Sequence, residues 1–172
     1  MPYFAAALAR RPDGWRGEEI DLRDAEDLDG VVEELRAVAD DATTLLLLVE
    51  ENDEWFGIVR VDEDGDPRVF LSDGRATETS SLGAILAEAA DVVEAVDDED
   101  ADDTDEDDED ADEATQAAGD PIGDAEVLAD LGTPAKRLLA LCAEEGQLPA
   151  DILSNLCERA GCLEALDALR LA

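Results

Sequence analysis

From Asp97 to Glu113 the chain reads DDEDADDTDEDDEDADE, fourteen carboxylates in seventeen residues with no cation. Such a run cannot be core, strand or stable helix, because it has nothing apolar to bury against the entropy of ordering it. Self-repulsion is expected to keep it extended. It continues into ATQAAGDPIGD, soft with Gly and Pro, so residues 97–123 are predicted to be an acidic disordered linker. The linker separates an amino-terminal part with strand and helix signals from a carboxy-terminal part that reads as helix alone.

The acidity does not stop at the run. The whole chain carries 49 acids and 12 bases, for a net charge of −37. Phosphate contacts need Lys and Arg, so direct binding of nucleic acid or of an anionic membrane is disfavoured. A basic protein partner or loosely held cations remain compatible. Solubility and coding bias account for the acidity as readily as a partner does.

Apolar residues make up 45% of the chain and aromatics 3%, so Leu, Val and Ala must fill the core. Residues 3–9, YFAAALA, read as a strand whose small side chains suit another backbone packing close by. Pro12-Asp13-Gly14 is turn chemistry, and Glu18–Leu22 is a candidate edge strand. Asp27 is placed to cap a helix whose face is Leu28, Val31, Val32, Leu35, Val38 and Ala39. The run TTLLLLV predicts a central strand covered on both faces. Residues 55–61 and Arg68–Leu71 follow as strands, with a hairpin signal at Glu63-Asp64-Gly65-Asp66. Ser80 or Ser81 can cap a helix carrying Leu82, Ile85, Leu86, Ala89, Val92, Val93 and Val96 on one face. That helix is expected to stop near Val96, where carboxylates oppose its terminal dipole.

Helical signals resume after the linker. Ala125–Leu131 reads as a short helix. Thr133-Pro134 reads as a cap followed by proline at the first helical position, and Pro149 opens another helix. These helices are too short to stand alone. The expected fold class is α+β: an antiparallel sheet of 4–5 strands with two helices on one face in residues 1–96, the linker at 97–123, and a helical tail at 124–172. The tail either completes the core of the first part or forms a bundle of its own.

Several chemistries fail on composition. The chain has no histidine, which removes imidazole catalysis and His-ligated metals. No phosphate-binding or dinucleotide glycine motif is present. Asp62, Asp64 and Asp66 resemble a calcium loop, but Gly65 stands between the second and third acids and no closing Glu follows at the right distance. Acid pairs are plentiful, yet two Trp and one Tyr supply few aromatic platforms for a glycosidase. Cys142, Cys157 and Cys162 form no C-x-x-C and are expected to be reduced, buried thiols. No cofactor, metal site or catalytic residue is expected. Trp15 and Arg16 are the candidate partner-contact residues, since exposed Trp and Arg are enriched at binding hot spots. The longest apolar run, Leu45–Val49, is too short to span a bilayer, and with no secretory pattern at the start the expected location is the cytoplasm.

The segments MPYFAAALAR, GWRGEEIDL, LLLLVEENDEWFGIVRVD, PRVFLSDGRA and SLGAILAEAADV together resemble the tRNA adenosine deaminase-associated protein family of high-GC bacteria. The resemblance spans residues 2–96 and resumes from about 120. It implies association with a tRNA adenosine deaminase and not the deaminase activity itself. That enzyme class needs H-x-E and P-C-x-x-C, and neither motif occurs here. The implied role is a non-catalytic protein-binding factor whose partner is that deaminase or another basic protein. The alternative is an acidic regulatory module with an unrelated partner.

Overall fold

The strands form because successive side chains meet two different apolar surfaces. A computed structural model describes residues 3–38, 41–51, 53–63, 66–100, 121–144 and 146–171. Its six strands are β1 (Tyr3–Arg11), β2 (Gly14–Glu19), β3 (Thr44–Glu51), β4 (Trp55–Asp62), β5 (Arg68–Leu71) and β6 (Ile122–Gly123). They form one antiparallel sheet in the order β2-β1-β3-β4-β5-β6. Ala5, Ala7, Ala9, Leu45, Leu47, Val49, Trp55, Val59, Val61, Val69 and Leu71 point to one face. Ala6, Leu8, Leu46, Leu48, Phe56, Ile58 and Phe70 point to the other. This is the period-2 alternation of a sheet with both faces buried.

Helices α1 (Leu28–Val38) and α3 (Ser81–Asp100) cover the first face, with the one-turn α2 (Ala76–Thr79) ahead of α3. Val31 and Leu35 of α1 and Leu86, Ala87 and Ala90 of α3 supply the contact. On this face the cap assigned to Asp27 holds, and of the pair Ser80 or Ser81 it is Ser80 that caps. Asp27 Oδ1 accepts the Gly30 N–H at 3.0 Å and Ser80 Oγ accepts the Gly83 N–H at 3.0 Å. On β4, Gly57 lets α3 approach, since a Cβ there would stand 2.9 Å from Leu86 Cδ1.

The tail covers the second face. A 3₁₀ turn at Ala129–Leu131 leads into α4 (Ala135–Ala143), α5 (Pro149–Ala160) and α6 (Leu163–Leu171). Val127, Leu128, Leu138, Leu153, Leu156 and Leu166 join the apolar cluster on that face. The tail thus completes the core and does not form a bundle of its own.

The structure corrects several expectations. The sheet has six strands, not four or five. The extra one is Ile122–Gly123, inside the span assigned to the linker. Two residues carry no strand pattern of their own; they are a strand only because Leu71 and Phe70 pair with them. Gly123 sits at φ +102°, and a Cβ there would lie 2.3 Å from the Val69 carbonyl. The first edge strand is Gly14–Glu19 and not Glu18–Leu22, because the chain reverses at once through Pro12-Asp13 and Gly14 pairs with Arg11. Helix α3 runs to Asp100 and not to Val96. Extending a formed helix by one turn costs little beside nucleating it, so the dipole penalty is outweighed. Residues 125–131 form turns and one 3₁₀ turn in place of an α-helix. Pro134 is itself the cap of α4, extended at ψ 162°, and Thr133 makes no capping bond. The central residues of the hairpin signal, Asp64 and Gly65, and the acidic run from 101 onward lie outside the described residues.

Candidate interaction surface

Three arginines join the sheet to the tail through hydrogen bonds and ion pairs that are mostly partly buried. Arg60 follows Phe56 and Ile58 on the tail side of β4, and its side chain is only 5% exposed. Its Nη1 donates to the Val127 carbonyl at 2.9 Å and to Asp130 Oδ1 at 2.5 Å, while Nη2 reaches Asp130 Oδ2 at 2.9 Å. Its Nε donates to Asp62 Oδ1 at 3.1 Å, which also accepts from Thr44 Oγ1. The guanidinium holds the Asp130 carboxyl below the usual carboxylate range. Arg68 stands opposite Arg60 in the strand register. It donates to Asp124 Oδ2 at 2.7 Å and to the Glu126 carbonyl at 3.0 Å. Arg170 of α6 pairs with Glu50 of β3, donates to Ser154 Oγ at 3.1 Å and lies over the Phe4 ring. Burial raises the Glu50 carboxyl, and Arg170 opposes that shift.

Sequence reading missed these groups. The available signal was Arg60 itself, a charge at the end of an inward-facing set, Phe56 and Ile58. Its partner Asp130, and Asp124, the partner of Arg68, could not be picked from 49 acids.

Strand alternation separates Trp15 from Arg16. Trp15 pairs with Arg10 in register, packs half-buried against the tail cluster, and has the Arg10 guanidinium 5.9 Å from its ring centre. Arg16 pairs with Ala9, projects to the opposite face, and is exposed. The tail approaches this edge strand closely at Gly17, where a Cβ would stand 3.1 Å from the Ala165 carbonyl. The two residues therefore do not form one patch. Trp55 is a core side chain, 2% exposed.

The surroundings of Cys142 and Cys157 disfavour their thiolates. Burial pushes Cys142 up to about 12. Cys157 is raised by its hydrogen bond with Cys162 and by burial. A thiol so placed is not ionised at neutral pH and makes a poor nucleophile. Gly161 at φ +88° ends α5, and the Cys162 N–H returns to the Cys157 carbonyl at 2.9 Å. The two cysteines thus meet as the apolar contact that accompanies such a helix end. Among the described residues no group of three His, Cys, Asp or Glu side chains could hold a metal ion. No helix among them is long and apolar enough to cross a membrane.

Three clefts among the described residues open to solvent. One is lined by Glu19, Asp21 and Arg23, another by Glu54, Asp73, Arg75 and Glu78, and a third lies between α1 and α3. Together these features define an acidic α+β protein with a double-covered antiparallel sheet and surface clefts rimmed by carboxylates. The chain belongs to the family described as Rv3753c-like tRNA adenosine deaminase-associated protein, whose model matches residues 3–163. No curated protein and no solved structure matches it.

Proposed function

We propose that this chain is a non-catalytic protein-binding factor that acts on a tRNA adenosine deaminase. The family match over residues 3–163 is the observation that carries the reading, since the family is described by its association with that enzyme. Three further facts support it. The chain has no histidine and so no H-x-E motif to serve a deaminase zinc. The Cys142 and Cys157 thiols are held protonated by their surroundings. The net charge of −37 suits a partner that presents a basic, tRNA-binding surface and does not suit tRNA itself.

The test is co-purification. Tagged full-length protein recovers the deaminase at physiological salt, and the yield falls as salt is raised. The reading fails if the deaminase is never recovered and its activity is the same with and without this protein. A purification dominated by an unrelated basic protein would move the role to that partner.

A further inference from the structure

Helix α1 lies over β1 and β3, and α3 lies over β5 and β6, so the two helices leave a seam above the middle of the sheet. Where α1 begins, the seam opens into a cleft of about 340 Å³. Its floor is Leu28, Pro67, Ile85 and Ala89; the three other than Pro67 rest on the core of that face, and all four are partly buried. Asp29 and Glu88 stand on its rim, both exposed. Asp27 also borders it, but its carboxylate is committed to capping α1.

The other two described clefts carry their own counter-ions. Arg23 pairs with Asp21 at 2.7 Å in one, and Arg75 pairs with Asp73 at 2.9 Å in the other. Among its described lining residues the seam cleft has no cation. Neither Asp29 nor Glu88 joins any ion pair among the described residues. An apolar floor beside uncompensated carboxylates selects for an occupant with the opposite arrangement.

We infer that this cleft docks a basic segment of a protein partner, with an apolar side chain seated on Leu28, Ile85 and Ala89 and an Arg or Lys reaching Asp29 and Glu88. The occupant follows from charge. Nucleic acid and anionic lipid would meet carboxylates with no cation to receive them. A second copy of this chain would bring a second charge of −37. A cation beside an apolar anchor is steered in by the rim and held by the floor. The inference rests on the protein-binding reading and gives it a place and a chemistry.

The test uses the full-length chain, two probes and two variants. The probes are purified tRNA adenosine deaminase and a synthetic amphipathic helix of Leu and Arg. The variants are Asp29→Arg with Glu88→Arg, and a control with the same charge change on the tail, Glu144→Arg with Glu158→Arg; all four side chains are exposed. Thermal melts establish that both variants fold. The cleft variant is expected to lose on the order of tenfold or more in affinity for the deaminase, and the control no more than about threefold. Equal losses in both variants, or none in either, overturn the cleft. If the native chain does not bind the deaminase, the proposed function fails and the peptide decides the cleft separately. Amide shifts confined to residues 28–32 and 82–89 on peptide addition then support it. Shifts spread over the surface, or none, overturn it.

Discussion

The two faces of the sheet are closed by different means. On the first, α1 and α3 come from chain adjoining the strands they cover, and among the described residues the contact is made by apolar side chains, with Ala5, Ala7, Ala9 and Gly57 allowing close approach. On the second, the tail comes from beyond the acidic run and is fastened by Arg60, Arg68 and Arg170. Apolar burial is non-directional. A helix tethered by a short loop needs little else to find its position. A tail that follows at a longer sequence distance has more ways to cover an apolar face, and arginines that each reach two or more acceptors choose among them by geometry.

The most severe way to break this comparison is to remove one cover. A chain ending at residue 120 leaves Leu8, Leu46, Leu48, Phe56, Ile58 and Phe70 open to water. An apolar patch of that extent is expected to drive aggregation. Hydrophobic-dye binding and loss of a cooperative melt are the expected outcomes. If the shortened chain stays monomeric and melts cooperatively, the first face is a self-sufficient unit and the tail is an accessory.

Adjacent residues of β3 allow the two faces to be weighed directly. Leu47 is fully buried toward α1 and α3, and Leu48 is 1% exposed toward the tail. Leu47→Ala and Leu48→Ala are each expected to cost about 2–5 kcal/mol, with unchanged denaturant slope. A much smaller loss for Leu48→Ala would show that the tail packs loosely despite its arginines.

The latches are expected to matter somewhat less. Arg60→Met should cost about 2–3 kcal/mol, below the value for a wholly buried pair because Asp130 is 62% exposed. Asp130→Asn should cost less than about 1 kcal/mol at neutral pH for the same reason. The pH signs of two latches differ. The Asp130 carboxyl is lowered in the fold, so its contribution is present above its unfolded value of 3.8 and is lost as pH falls through the depressed one. The Glu50 carboxyl is raised above 4.5, so its contribution is present below that value and is lost as pH rises through the folded one. From pH 7 to pH 3, stability relative to native protein should therefore rise for Asp130→Asn and fall for Glu50→Gln. Parallel trends would show that the two carboxylates share one environment.

These two faces also divide what could be read from the sequence. β5, the caps Asp27 and Ser80, and the inward stripe of α1 depend on neighbours within a few residues. Their patterns are local, and reading them needs no partner. β6 exists only through Phe70 and Leu71, and the fit of Gly123 against Val69 is invisible until those strands are adjacent. Asp124 and Asp130 look like any other surface acid until Arg68 and Arg60 meet them. The family resemblance was legible because it resides in core and turn residues. The separation of Trp15 from Arg16 follows from a strand register that the hairpin at Pro12-Asp13 sets, and the alternative strand at Glu18–Leu22 concealed it.

That edge strand supplies the smallest and most discriminating comparison. Trp15 spans into the tail face and Arg16 into the helix face, so they report on the two covers from one place. Trp15→Ala should cost about 1 kcal/mol, because half-buried contact with the tail is lost. Arg16→Ala should change stability by less than about 0.5 kcal/mol, since the side chain is exposed and has no ion pair among the described residues. Denaturant midpoints measure both. A partner that uses Arg16 would then lose affinity for a variant whose fold is untouched. Any binding defect of Trp15→Ala, by contrast, must first be corrected for its effect on the tail. A stability loss at Arg16 as large as that at Trp15 would show that the helix face also depends on charge, and the contrast between the two covers would not hold.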